Sequence, residues 1–391
     1  MNKKIICVGL LFSIVVITIY GQQYTRERDF TVQRTSDGNS VIITGYTGRD
    51  TDINIPPQIS RRPVVAIGAG AFAGKNLTNV TIPNSVITIG RHAFSGNLLI
   101  NIIIPENITT IEEGAFLGNQ ITNITFLCNI TTLSNEIFRD NKLTSLNIPN
   151  SVTIIGNYTF SGNQLTELNI PSNVITIGNY AFSDNKLTEL NIPNNVTTIK
   201  HNAFRNNQLV NVVISNSITI IEESVFENNR LTNVVIPNGV IAIRHNAFNN
   251  NRILNVTIPN SVTGIFPFAF SANQLISIII PNSVTAIGEF AFSGNQLTNV
   301  NIPNSVTNIG DYAFRNNPLT SVIISESVSR FNSNIFSGAR NLARISIGAN
   351  VVISGGATEE IAYNFIGYYE INNRQAGVYT FNNGIWNRTN R

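Results

Sequence analysis

Cysteine is almost missing from this chain of 391 residues, which has only Cys7 and Cys128. Cys7 falls in an apolar N-terminal stretch, so past that stretch one thiol remains, and one thiol cannot close an internal disulfide. The fold must be held by packing, with Cys128 either idle or paired to another chain. Charge is also scarce. Only 12% of residues are charged, and the 25 basic and 22 acidic residues are scattered, so the formal net charge of +3 supplies no clustered basic face. A nucleic-acid partner is therefore not implied. With three histidines, His92, His201 and His245, and one remaining thiol, no Cys/His metal cluster can be assembled. The segment from Gly68 to Lys75 superficially suggests a phosphate loop, but its glycine spacing is wrong and Asn76 stands where Ser or Thr would bind magnesium. These absences exclude the common catalytic and cofactor sites, so a non-enzymatic protein with no cofactor is expected.

Long apolar runs are confined to the start of the chain. Lys3 and Lys4 precede an almost wholly apolar segment, residues 5–20, and Gly21-Gln22-Gln23 opens polar sequence. This is the pattern of a secretory signal over residues 1–23. The run of roughly 16 residues is short for a membrane span. Ile19-Tyr20-Gly21 is a mediocre cleavage site, which keeps an uncleaved anchor open as the alternative. The expectation is a secreted or cell-surface protein without a membrane span after cleavage.

What the chain does have is a period. Phenylalanine recurs every 22 residues at Phe72, Phe94, Phe116, Phe138, Phe160, Phe182, Phe204, Phe226, Phe248, Phe270, Phe292, Phe314 and Phe336. A fixed period of this size marks stacked repeats, each burying its apolar face against its neighbours. In the sample turn, Leu165, Leu168 and Ile170 are followed by Pro171, Val174, Ile177, Gly178, Ala181-Phe182 and Asn185. Leu168 and Ile170 alternate with Glu167 and Asn169, as a strand with one buried face requires. Pro171 ends that strand because it cannot donate to a ladder. Val174 and Ile177 mark a second inward stretch, and the Gly-x-x-Ala-Phe segment reads as a tight turn or one short helical turn. Asparagine keeps the same period from Asn97 to Asn317. Inside a tight bend its amide can serve both backbone donors and acceptors, so an asparagine ladder is expected.

The spacing L-x-x-L-x-I-P-x-x-V-x-x-I-G-x-x-A-F-x-x-N resembles the leucine-rich repeats of BspA-like surface proteins, over roughly residues 50–353. Two departures are the asparagine where the family often has cysteine and a turn one residue shorter than usual. The resemblance implies a leucine-rich-repeat solenoid, β-rich, with one parallel strand per 22-residue turn and short turns or helical turns on the convex side. It also implies a surface adhesin or a module binding host proteins. A structural or assembly component of the cell envelope is the second reading, and a carbohydrate-active enzyme with scattered carboxylates a distant third.

Four segments follow: the signal (1–23), an N-terminal β cap with an irregular first repeat (24–75), the solenoid (76–353) and a C-terminal cap (354–391). In that last cap, Glu359 to Ala376 reads as a helix with Ile361, Phe365 and Tyr369 inward. Asn382-Asn383-Gly384 between aromatic, β-branched runs reads as a hairpin. Outside the regular core positions, the strand face is where specificity can be written. Its candidate partner-binding residues are Asn147, Glu167, Asn169, Glu189, Asn191, Asn211, Val213, Asn233 and Val235. The glutamates with their asparagines form a mildly acidic section, and the valines place exposed apolar surface beside it. The partner expected is an extracellular protein or glycan, bound by a monomer.

Overall fold

The computed structural model describes residues 23–354 and 360–389, without the side chains of 360–363. Residues 1–22 of the expected signal, Cys7 among them, and the side chain of Ile361 lie outside what is described.

The chain winds into a β-solenoid of about 14 turns with parallel strands and little helix. Most turns carry the expected strand, as in Asn101–Ile104 against Asn123–Phe126 or Glu189–Asn191 against Asn211–Val213, while Asn147 and Asn169 form only an isolated bridge and 277–280 is extended without a strand. The prolines close it with a turn, in which the Val174 N–H donates to the Pro171 carbonyl at 3.1 Å. Beyond this, each turn adds a second, two-residue strand. Thr176–Ile177 pairs with Ile154–Ile155 and with Thr198–Ile199, and the second residue of each, Ile155, Ile177 or Ile199, points inward.

The Gly-x-x-Ala-Phe segment forms neither helix nor strand. The N–H groups of Tyr180, Phe182 and Asp184 donate to the carbonyls of His201, Ala203 and Arg205 in the following turn, at 3.0, 2.9 and 3.0 Å. Tyr180 and Asp184 have φ of 55° and 57°, and equivalent residues repeat this in turn after turn. Interspersed left-handed residues swing alternate N–H groups to one side of the chain, which a continuous right-handed helix cannot do. This third ladder is what replaces a helix on the convex side.

The periodic phenylalanines form one column through the molecule. Phe182 and Phe204 stack 5.5 Å apart with planes 2° from parallel, and both are fully buried. Beside them runs the asparagine ladder. Asn185 Nδ2 donates to the carbonyls of Phe160 (2.9 Å) and Phe182 (3.2 Å), while its Oδ1 accepts from the Leu165 N–H at 3.0 Å. One amide thus ties its own turn to the preceding one and satisfies backbone groups in a dry bend.

Both ends of the column are covered. At the N-terminal end, Phe30 and Tyr46, from the antiparallel strands Phe30–Arg34 and Val41–Tyr46, place their rings 6.2 and 5.7 Å from Phe72. In the irregular first repeat, Arg61 and Arg62 belong to a tight reversal between Gln58–Ile59 and Arg62–Ile67, with Ser60 and Arg61 at positive φ. At the C-terminal end the helix spans Glu360–Ile371, shorter than the sequence suggests, because Asn373 and Arg374 turn left-handed at φ 51° and 52°. Phe365 and Tyr369 are buried, and the Tyr369 hydroxyl donates to the Gly348 carbonyl at 2.8 Å. Strands Gly377–Asn382 and Ile385–Thr389 form the hairpin and continue the main sheet antiparallel beyond Arg344–Ile347.

Candidate partner-binding face

The repeat register decides which side chains leave the core. In each main strand the two outward residues flank an inward one, so in-register stacking turns them into two parallel rows on a single face. All nine candidate residues lie exposed on that face. Asn147 bridges to Asn169, Glu189 pairs with Asn211, and Asn191 pairs with Val213. Asn233 and Val235 oppose Asn255 and Thr257.

The two rows are not uniform. Glu167 and Glu189 stand at equivalent positions of adjacent turns, and neither has an ion-pair partner among the described residues. Thr166, Thr188, Asn191 and Asn211 surround them in a shallow depression. It adjoins a second depression at Asn191 and Val213, lined further by Asn194, Val235 and Pro237. There the surface turns apolar, with Val213 exposed to 62% and Val235 to 79%.

The apolar section extends past the residues singled out from sequence. Ile279 is 84% exposed two turns beyond Val235 in the same row, and Leu254 and Ile276 are exposed one strand position before the first row. Leu275 to Ile280 contains only one polar residue, Ser277, so alternation by itself does not tell its inward from its outward side chains. The repeat register, by contrast, puts Ile279 in the same outward row as Val235, 44 residues on.

Elsewhere the structure offers less. His201 lies 3.9 Å from Glu222 and 3.6 Å from Glu223 on the convex surface, and the described residues contain no group of three His, Cys, Asp or Glu placed to hold a metal. Cys128 is buried, and burial pushes its thiol pKa up, away from the reactive thiolate. The outer aromatics stack between turns, Tyr158 on Tyr180 at 4.6 Å and Phe290 on Tyr312 at 4.8 Å. Among the described residues no helix is long and apolar enough to cross a membrane.

A solenoid of stacked 22-residue turns, with a strand face left open along its length, defines a repeat scaffold of the leucine-rich class. The chain belongs to the BspA type leucine rich repeat family, whose model matches residues 51–164, 153–275 and 265–384. A leucine rich cell surface protein from Faecalibacterium prausnitzii is 27% identical, with TM-score 0.56, over 87% of this chain and 96% of its own. The pneumococcal vaccine antigen PcpA shares the fold at 20% identity and TM-score 0.55, over 83% of this chain and 88% of its own. No curated protein matches the sequence. The family is one of surface proteins, which points to protein binding, and the comparisons indicate no enzyme family.

Proposed function

We propose that this protein is exported to the cell surface and binds an extracellular protein or glycan through the strand face from Asn147 to Val235, as an adhesin for host or matrix components. One observation carries the reading: a polar strand face changes within two turns from an unpaired acidic section, Glu167 and Glu189, to exposed Val213 and Val235. Contiguous apolar surface rimmed by polar groups is a mark of interaction sites. The surface-protein family and the apolar, lysine-led segment at the N-terminus support export.

The test is capture by the mature chain against matrix proteins, glycans and the producing cell's own envelope, in parallel with a Glu189→Gln/Val235→Asn variant. Both positions are solvent-exposed, so the variant should keep the parent's unfolding midpoint within about 0.5 kcal/mol. It should lose most of the captured host or matrix partner. Capture of the cell's own envelope alone would replace adhesion by the envelope-assembly reading, and undiminished capture by the variant would move the site off this face.

A further inference from the structure

On the convex side, the residue after each second-strand isoleucine is glycine in many turns, among them Gly156, Gly178, Gly288 and Gly310. Four consecutive turns depart from this with Lys200, Glu222, Arg244 and Phe266. The last two of these side chains stack on one another. The Arg244 guanidinium lies 4.8 Å from the Phe266 ring centroid, and the His245 ring lies 5.5 Å from the same ring. In the next turn the equivalent residue is Gly288, so no equivalent side chain continues the column past Phe266, which is half-buried. A Cβ at Gly288 would come within 2.3 Å of the Pro267 backbone nitrogen, so the Phe266–Pro267 backbone leaves no room for a side chain at 288.

A groove opens there, from Phe266 across Ala286 and Gly288 to Asn308 and Gly310, with Glu289 on its border. Its polar groups are mostly acceptors. The Thr263 hydroxyl donates to the Ile241 carbonyl and the Thr285 hydroxyl to the Thr263 carbonyl, each at 3.2 Å, which leaves only lone pairs for a ligand. The Glu289 carboxylate is exposed, as is Asp311 at the equivalent position of the next turn, and neither has an ion-pair partner among the described residues. A half-buried aromatic ring lining the groove beside acceptors and unpaired carboxylates calls for a planar group that carries positive charge and only donors. Guanidinium meets all three requirements, whereas ammonium is compact and a sugar is uncharged and also needs donors.

We propose that this groove binds the guanidinium of an arginine side chain from a partner polypeptide, stacked on Phe266 from the groove and hydrogen-bonded to Glu289. The ring already carries one guanidinium, that of Arg244, on its other side. The site is separate from the concave strand face and stands or falls apart from it.

The test is calorimetric titration of the full mature chain with a short peptide carrying one arginine, and with matched peptides carrying lysine or citrulline in its place. The arginine peptide should bind about tenfold more tightly than either. Phe266→Gly installs the residue that other turns already use, and Glu289→Gln alters an exposed carboxylate; each should weaken arginine binding about tenfold. Glu189→Gln/Val235→Asn should leave it unchanged. Equal affinity for the lysine peptide would reduce the groove to simple charge attraction. Absence of binding, equal affinity for citrulline, or full affinity in Phe266→Gly with an unaltered circular dichroism spectrum would overturn the proposal.

Discussion

Two sets of aromatic rings stack in this molecule, a continuous inner column and an outer one confined to Tyr158–Tyr180 and Phe268–Phe290–Tyr312, and they differ in almost everything except spacing. In the inner column Phe182 and Phe204 are fully buried at 5.5 Å. In the outer one Tyr158 and Tyr180 are half-exposed at 4.6 Å, with φ of 56° and 55°. The inner rings displace water from both sides and fill the space between ladders. The outer rings occupy left-handed positions that elsewhere hold residues such as Gly114, Asn202 and Asn246, a conformation that costs a bulky side chain about 1 kcal/mol or more. Ring stacking at the helical or strand repeat is therefore no measure of stabilisation. Burial and backbone conformation decide it.

The largest expected effect separates the columns. Phe204→Ala leaves a cavity shared by adjacent turns and should cost about 3–5 kcal/mol. Denaturant unfolding with the parent's midpoint would remove Phe204 from the core. Next comes the asparagine ladder that braces the inner column. Asn207→Ala leaves the Leu187 N–H without its amide acceptor at 3.0 Å and takes a donor from the Phe182 carbonyl, with a cost of about 2–3 kcal/mol. A loss below 0.5 kcal/mol in the same measurement would mean that water replaces the amide.

Alkaline titration should affect the ends before the middle. Burial pushes the hydroxyls of four tyrosines above the ordinary value of 10.0; Tyr46, Tyr369 and Tyr379 sit in the caps, and the fourth, the half-exposed Tyr158, in the solenoid. Since their folded pKa is raised, the stability they contribute is complete below the unfolded value near 10 and declines as pH rises through the folded one. Hydrogen exchange above pH ~10 should therefore open the caps first. Uniform opening would locate the alkaline weakness elsewhere. The smallest effect belongs to the outer column. Tyr180→Asn loses a stacked pair but gains a residue suited to positive φ, so stability should stay within about 1 kcal/mol of the parent. A loss comparable to that of Phe204→Ala would erase the distinction between the columns.

Much of this architecture was legible because the repeat is arithmetic. Phe72 through Phe336, the asparagines, and the outward rows containing Glu167 and Val235 all follow from one period. The convex ladder was not legible. Its left-handed positions hold Tyr180, Asp184, Phe268 and Ala272, residues that seldom announce such a backbone, and only hydrogen bonds between turns hold them there. The Phe266 groove was hidden for a related reason. Its aromatic ring, glycine floor and carboxylate are spread over three turns, and Phe266 reads in sequence as one more apolar residue.

By itself, the sequence determined which residues are core, where each strand stops and how far apart equivalent side chains lie, because burial in a stacked solenoid depends only on position within the turn. The tertiary structure decided what those equivalent residues meet. Whether an aromatic ring is sealed, stacked in strain or left half-buried at a groove depends on the neighbouring turn, 22 residues away, and becomes visible only when the turns are laid on one another.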